Sequence, residues 1–129
     1  MLRVLVIDDE AMVRKIVRKM LERSGHNVVE AENGKLGIEQ LKSASFDLVI
    51  TDIIMPQMEG IETLINVKRE RPGTQVIAMS GGGRTGNVDF LQTAQKLGAA
   101  AILHKPFTMN SLAGAVEEAC GKVMTVAAG

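Results

Sequence analysis

Short runs of apolar residues alternate along the chain with longer stretches in which apolar residues recur at helical spacing. The first run covers residues 4–7, and Val13, Val17 and Leu21 follow it on one face of a helix. Similar runs, each followed by a helical pattern, cover residues 28–29, 46–50, 75–79 and 100–103. Runs without polar alternation are typical of strands buried on both faces, as in a parallel sheet. The pattern therefore predicts an α/β, doubly wound domain with five strands and five helices.

Residues with strong cap and turn preferences separate these elements. Gly25 is expected to end the first helix, and Thr108 is expected to cap the start of the last one. The pair Asn33-Gly34 is a common hairpin turn. The helical pattern that follows it favours a strand-to-helix turn instead.

The length and composition indicate one self-sufficient domain. The chain has 129 residues, and we expect the domain to cover residues 1–124, followed by a short tail at 125–129. Hydrophobic residues make up 46% of the chain, which is enough for a core without metal or disulfide support. The single cysteine, Cys120, cannot form an internal disulfide and fits a reducing compartment.

The charge balance and the hydropathy of the chain exclude several classes of function. Fifteen Lys and Arg residues balance fifteen Asp and Glu residues, so there is no basic field for nucleic acid, and we expect no DNA-binding domain. No apolar run approaches the roughly 18 residues of a membrane span, and the first run is too short for a signal peptide. We therefore expect a cytoplasmic protein with no membrane partner.

Polar side chains follow four of the predicted strands at the point where each strand ends. Asp8-Asp9 follow the first strand, Thr51-Asp52 the third, Ser80 the fourth, and His104-Lys105-Pro106 the fifth. Because ligands of such sheets bind beyond the carboxyl ends of the strands, these groups are expected to share one site.

The chemistry of this set points to phosphoryl groups and a hard cation. Three carboxylates repel one another unless a cation neutralises them, and an all-oxygen ligand set favours Mg²⁺. A carboxylate beside such a cation can act as a nucleophile on phosphorus, while a lysine and a hydroxyl hold the phosphoryl oxygens.

Four segments resemble the motifs of response-regulator receiver domains, and the resemblance extends over essentially the whole chain. They are residues 7–10 (Ile-Asp-Asp-Glu), 52–60 (Asp-Ile-Ile-Met-Pro-Gln-Met-Glu-Gly), 79–80 (Met-Ser) and 105–107 (Lys-Pro-Phe). The resemblance implies a flavodoxin-like (βα)5 fold with strand order 2-1-3-4-5, similar to that of the single-domain chemotaxis regulator.

The resemblance also implies a role for each matching residue. Asp52 would accept the phosphoryl group. Asp8, Asp9 and Asp52 would bind Mg²⁺, together with the backbone carbonyl of Ile54, and Asp8 would act mainly through metal-bound water.

Two further groups would contact the phosphoryl group itself. Ser80 and Lys105 would bind its oxygens, and the peptide bond between Lys105 and Pro106 is expected to be cis.

Three positions are expected to modulate this chemistry. Ile54 cannot orient an attacking water, so it should lengthen the life of the phosphorylated state, whereas Gly82 offers no shield. Ile102 stands where the family usually carries an aromatic switch residue, so an aromatic rotamer change cannot be the readout here.

These roles imply a stand-alone phosphorylation switch in two-component signal transduction, not an enzyme acting on other substrates. A histidine kinase or phosphotransfer protein would phosphorylate Asp52, and an output protein of unspecified identity would bind the product. An aspartate-nucleophile phosphohydrolase is a second possibility, although residues 8–12 do not match the Asp-x-Asp motif of those enzymes. A receiver that only binds partners is the third, disfavoured because every site position carries a competent residue.

A basic strip on the first helix has two open interpretations. It comprises Arg14, Lys15, Arg18, Lys19 and Arg23. A solvated helix face is the default, and docking of the phosphodonor, as in the family, is about equally supported. His104 is interpreted as a strand-end residue and not as a ligand.

Overall fold

A computed structural model describes residues 1–53, 59–80 and 87–121. Strands and helices alternate strictly through these residues. The elements are β1 (Arg3–Ile7), α1 (Ala11–Arg23), β2 (Asn27–Ala31), α2 (Gly34–Ser43), β3 (Leu48–Asp52), α3 (Glu59–Glu70), β4 (Gln75–Ser80), α4 (Asn87–Lys96), β5 (Ala101–His104) and α5 (Met109–Cys120).

The strands of the described residues form one parallel sheet in the order β2-β1-β3-β4-β5. This confirms the predicted doubly wound architecture and strand order. The order reverses between β1 and β3, because the chain first builds outward to β2 and then returns. The carboxyl ends of β1 and β3 therefore open beside each other at the topological switch point.

Two hydrophobic cores lie on the opposite faces of the sheet. Successive residues of a strand point to opposite faces, so Val4 and Val6 enter one core while Leu5 and Ile7 enter the other. Helices α1 and α5 cover the first core, and α2, α3 and α4 cover the second. This double cover explains why the strands lack polar alternation.

Local sequence signals set several helix ends as predicted. The Asn33 side chain accepts a hydrogen bond from the Leu36 N–H, so Asn33 caps α2 and does not form a hairpin. Thr108 caps α5 through a reciprocal pair of bonds with Ser111. Gly25, just beyond α1, has a φ of 88°, which glycine adopts at little cost.

Some boundaries differ from the sequence expectation. The third apolar run begins at Phe46, but β3 begins at Leu48, because the Phe46 carbonyl accepts a bond from the Thr74 hydroxyl instead of a sheet partner. The expected domain end at residue 124 and the tail at 125–129 lie outside the described residues. None of the helices in the described ranges combines the length and the apolar character that a membrane crossing requires.

Candidate functional site at the carboxyl ends of the strands

Four predicted site residues lie together at one edge of the sheet. Asp8 directly follows β1, Asp52 and Ser80 are the last residues of β3 and β4, and Lys105 directly follows β5. Asp8, Asp52 and Ser80 are each at most 3% exposed. The strand register produces this grouping, since Asp52 pairs with Met79 and Ser80 pairs with His104.

The Lys105 ammonium joins two of the carboxylates. Its Nζ atom lies 2.8 Å from Oδ2 of Asp8 and 3.1 Å from Oδ2 of Asp52. The Lys105 side chain is itself largely buried, at 14% exposure. Burial lowers the pKa of Lys105, but hydrogen bonds and Coulomb attraction from Asp8 and Asp52 outweigh it, and the pKa is raised overall. One positive charge thus holds two buried acids that would otherwise repel each other.

The Asp8 carboxylate has a second fixed contact. Its Oδ1 atom accepts a hydrogen bond of 2.8 Å from the Glu10 N–H, within the turn that leads into α1. Asp9 and Glu10 are exposed, and their carboxylate oxygens come within 4.8 Å of those of Asp8. One buried acid and two exposed acids therefore lie close together at this end of the sheet.

The backbone fixes the position of Lys105 on β5. The Lys105 N–H donates to the Ser80 carbonyl at 2.8 Å, which ties the end of β5 to the end of β4. The peptide bond between Lys105 and Pro106 is cis, the geometry that the family resemblance implies. His104 is exposed at the strand end, as expected.

Of the three positions expected to modulate the chemistry, only Ile102 lies among the described residues. Ile102 is half-buried and packs against the core covered by α2, α3 and α4. Ile54, whose carbonyl was expected to bind metal, and Gly82 lie outside the described residues.

Arg14 contacts the site in a way that the sequence did not indicate. Its guanidinium Nη1 donates to the backbone carbonyl of Asp8 at 2.7 Å, and its Nε donates to Glu30 at 3.1 Å. Arg18 pairs with Glu30 at 3.0 Å and with Glu22 at 3.1 Å. The basic strip is therefore not a uniform solvated face. Helical periodicity alone places Arg14 on the polar side and gives no signal for its inward bond.

The doubly wound sheet and the carboxylate-lysine cluster at its switch point define a flavodoxin-like domain with a polar site at one edge. A family model described as the response regulator receiver domain matches residues 4–117. The chain belongs to this family, and membership implies signalling by phosphorylation.

Named relatives and solved structures agree with this assignment. The chain is 34% identical over 120 residues to a chemotaxis protein CheY of Listeria monocytogenes, covering 92% of this chain and 98% of that protein. It is 36% identical over 118 residues to CheY of Bacillus subtilis, covering 90% and 95%. A response regulator receiver domain protein from Clostridium thermocellum superposes with a TM-score of 0.85 at 31% identity, covering 98% and 99%.

Proposed function

We propose that this chain is a stand-alone phosphorylation switch that accepts a phosphoryl group on Asp52 from a histidine kinase or a phosphotransfer protein. The phosphorylated form then binds an output protein. The observation that carries this proposal is the buried Asp52 carboxylate, which Lys105 links to the equally buried Asp8 at the switch point of the sheet.

The transfer is a displacement at phosphorus. An oxygen of the Asp52 carboxylate attacks the phosphorus atom, a new P–O bond forms, and the bond from phosphorus to the donor nitrogen breaks. The imidazole of the donor histidine leaves with the electron pair of that bond. The product is a mixed anhydride between Asp52 and phosphate.

The donor set fits Mg²⁺. Asp8, Asp9 and Asp52 would hold the cation, together with the carbonyl of Ile54, and all of these ligands offer oxygen, which hard divalent cations prefer. The oxygens of Asp8, Asp9 and Glu10 already approach one another within 4.8 Å. When bound, Mg²⁺ supplies the positive charge that lets an anionic phosphoryl group approach these acids.

The remaining residues act on the phosphoryl oxygens. The Lys105 ammonium has three N–H donors, of which two face Asp8 and Asp52. The third can bond a phosphoryl oxygen without breaking either existing contact. Ser80, the last residue of the neighbouring strand β4, offers a hydroxyl as a further donor.

The two chemotaxis relatives support the stand-alone character. The match to the two chemotaxis proteins covers 98% and 95% of their lengths, so this chain is similar to them along nearly all of their sequence. A partner protein that recognises the phosphorylated surface would then carry the output.

The test is labelling by acetyl phosphate, followed by intact mass measurement. The protein should gain one phosphoryl group in the presence of Mg²⁺ and none with EDTA, and hydroxylamine should release the group. Asp52→Asn should abolish labelling. Asp47→Asn is the matched control, because Asp47 precedes the opposite end of β3 and bonds the Arg3 N–H there.

Three results would contradict the proposal. Labelling that persists in Asp52→Asn would exclude Asp52 as the acceptor. Equal labelling with EDTA would exclude the cation requirement. Sustained turnover of small phosphomonoesters by the purified protein would favour the phosphohydrolase alternative.

A further inference from the structure

The Arg14 side chain bridges three parts of the molecule. It starts on α1, reaches the backbone carbonyl of Asp8 at the end of β1, and pairs with Glu30 on β2. Its side chain is 15% exposed, so the guanidinium is largely shielded from water. A charged side chain this shielded keeps its contacts better than an exposed surface pair.

The contact completes the hydrogen bonding of Asp8. The Asp8 N–H donates to the Ala31 carbonyl at 3.2 Å, and the Asp8 carbonyl accepts from Arg14. Its two carboxylate oxygens accept from the Glu10 N–H and from Lys105. Turning either peptide group of Asp8 would therefore cost at least one of these bonds.

We propose that Arg14 is a positioning residue for the cation site. Its guanidinium holds the Asp8 backbone so that the Asp8 carboxylate stays in place beside Lys105 and the acids Asp9 and Glu10. This inference deepens the proposed function and rests on it, because it concerns the same acidic site.

Glu30 gives the guanidinium its orientation. One Glu30 oxygen accepts from Nε of Arg14, and the other accepts from Nη1 of Arg18. Because the guanidinium is planar and rigid, its Nε can donate to the Glu30 carboxylate while its Nη1 donates to the Asp8 carbonyl. A lysine at position 14 carries all of its donors on one nitrogen, so it cannot reproduce the two separated donors, Nε and Nη1, with which Arg14 reaches Glu30 and Asp8.

Charge and positioning predict opposite effects on Mg²⁺ affinity. A positive charge close to an acidic site repels a divalent cation, so removing it should raise Mg²⁺ affinity if charge were its only effect. Loss of a group that orients a metal ligand lowers affinity, typically by 10- to 100-fold. A fall in affinity after removal of the Arg14 charge therefore identifies the positioning role.

The experiment compares Arg14→Gln with Arg18→Gln in the full chain. Both variants remove from α1 one positive charge that pairs with Glu30. Within the described part of the chain, however, the Arg18 guanidinium bonds Glu22 and Glu30 and not Asp8, and its side chain is 43% exposed. Calorimetric titration with Mg²⁺ should show affinity about tenfold weaker in Arg14→Gln. Arg18→Gln should stay within about twofold of the unchanged protein or bind slightly tighter. Arg14→Lys should fall between Arg14→Gln and the unchanged protein.

A second measurement needs no metal. Amide hydrogen exchange of Glu10, whose N–H bonds the Asp8 carboxylate, should accelerate in Arg14→Gln and remain unchanged in Arg18→Gln. Amides in the centre of β3 serve as the reference, since a general loss of stability would accelerate those as well.

The outcomes separate the two proposals. Affinity in Arg14→Gln that equals or exceeds that of the unchanged protein, with Glu10 exchange unaltered, overturns the positioning role. If the wild-type protein neither binds Mg²⁺ nor is phosphorylated by acetyl phosphate, the proposed function is overturned. The exchange rate of the Glu10 amide still tests whether Arg14 positions Asp8, because that measurement needs no metal. If Arg14→Gln is not folded, Arg14→Lys decides: full affinity in that variant also overturns the role.

Discussion

Replacement of Gly60 by alanine tests how closely α3 packs on the strand end that carries Asp52. A Cβ atom built on Gly60 would lie 2.3 Å from the Cα atom of Ile53 and 2.5 Å from its carbonyl carbon and oxygen. Real Cβ atoms do not approach other heavy atoms so closely, and these are backbone atoms that no side-chain rotation can move. Either α3 or the backbone next to Asp52 must shift.

The size of the effect follows from two opposing contributions. Alanine in place of glycine favours a helix by about 0.5–1 kcal/mol. Overpacking against a fixed neighbour costs about 1–3 kcal/mol, and a backbone contact belongs at the upper end of that range. We expect a net loss of about 2 kcal/mol in the free energy of unfolding, dominated by the clash.

Gly114→Ala is the matched control. Gly114 lies within α5, is exposed, and has nothing within 4 Å of the position a Cβ would take. Here the helix contribution acts alone, and we expect a gain of about 0.5–1 kcal/mol. The same substitution should thus have opposite signs in two helices of one protein.

Urea-induced unfolding followed by circular dichroism measures both variants, with the midpoint and the slope fitted together. Folded Gly60→Ala protein should also label more slowly with acetyl phosphate, since Ile53 adjoins Asp52, whereas Gly114→Ala should label at the original rate. The packing described for α3 would be refuted by a Gly60→Ala protein as stable as the unchanged one.

Two further predictions concern charged and titratable groups. Lys105→Met should lower the free energy of unfolding by about 3–5 kcal/mol in EDTA, because it leaves two buried carboxylates without their shared cation. Mg²⁺ should raise the thermal midpoint of this variant more than that of the unchanged protein, and equal increments would contradict the bridging role. Buried His26 accepts the Leu2 N–H at 3.0 Å, and burial, followed by the positive amino terminus, lowers its pKa from 6.5. Since the unfolded chain takes up this proton first, stability should fall as the pH drops below 6.5. His26→Asn should reduce that loss in unfolding titrations between pH 7 and pH 5, whereas exposed His104→Asn should not; identical slopes for all three proteins would argue against it.

The sheet was predictable because its strands are buried on both faces. In a short chain, continuous apolar runs are typical of strands buried on both faces. Their alternation with helical patterns is typical of parallel pairing through crossover helices. Boundaries were less certain where a backbone group leaves the ladder for a side chain, as the Phe46 carbonyl does for Thr74. Such a bond depends on a residue 28 positions away and leaves no trace in local periodicity.

The acids and the lysine of the site could be predicted for a related reason. Topology alone brings the carboxyl ends of β1, β3, β4 and β5 to one edge, so any polar residue just beyond them joins the same group. Their pairing could not be predicted in the same way. The Lys105 ammonium lies within hydrogen-bond distance of both Asp8 and Asp52. This arrangement depends on how deeply each side chain is buried, which the sequence pattern does not give.

The basic strip of α1 shows where sequence patterns lose information. Five cations at helical spacing look equivalent, yet Arg14 turns inward to Asp8 and Arg18 is shared between Glu22 and Glu30. Lys15, Lys19 and Arg23 are exposed, and they follow one another every fourth residue. If α1 docks a phosphodonor, we expect these three residues to supply the positive charge that faces it, because the Arg14 guanidinium is already bonded to the Asp8 carbonyl and to Glu30. A docking surface and a positioning contact can therefore occupy one helix, separated only by the direction in which each side chain points.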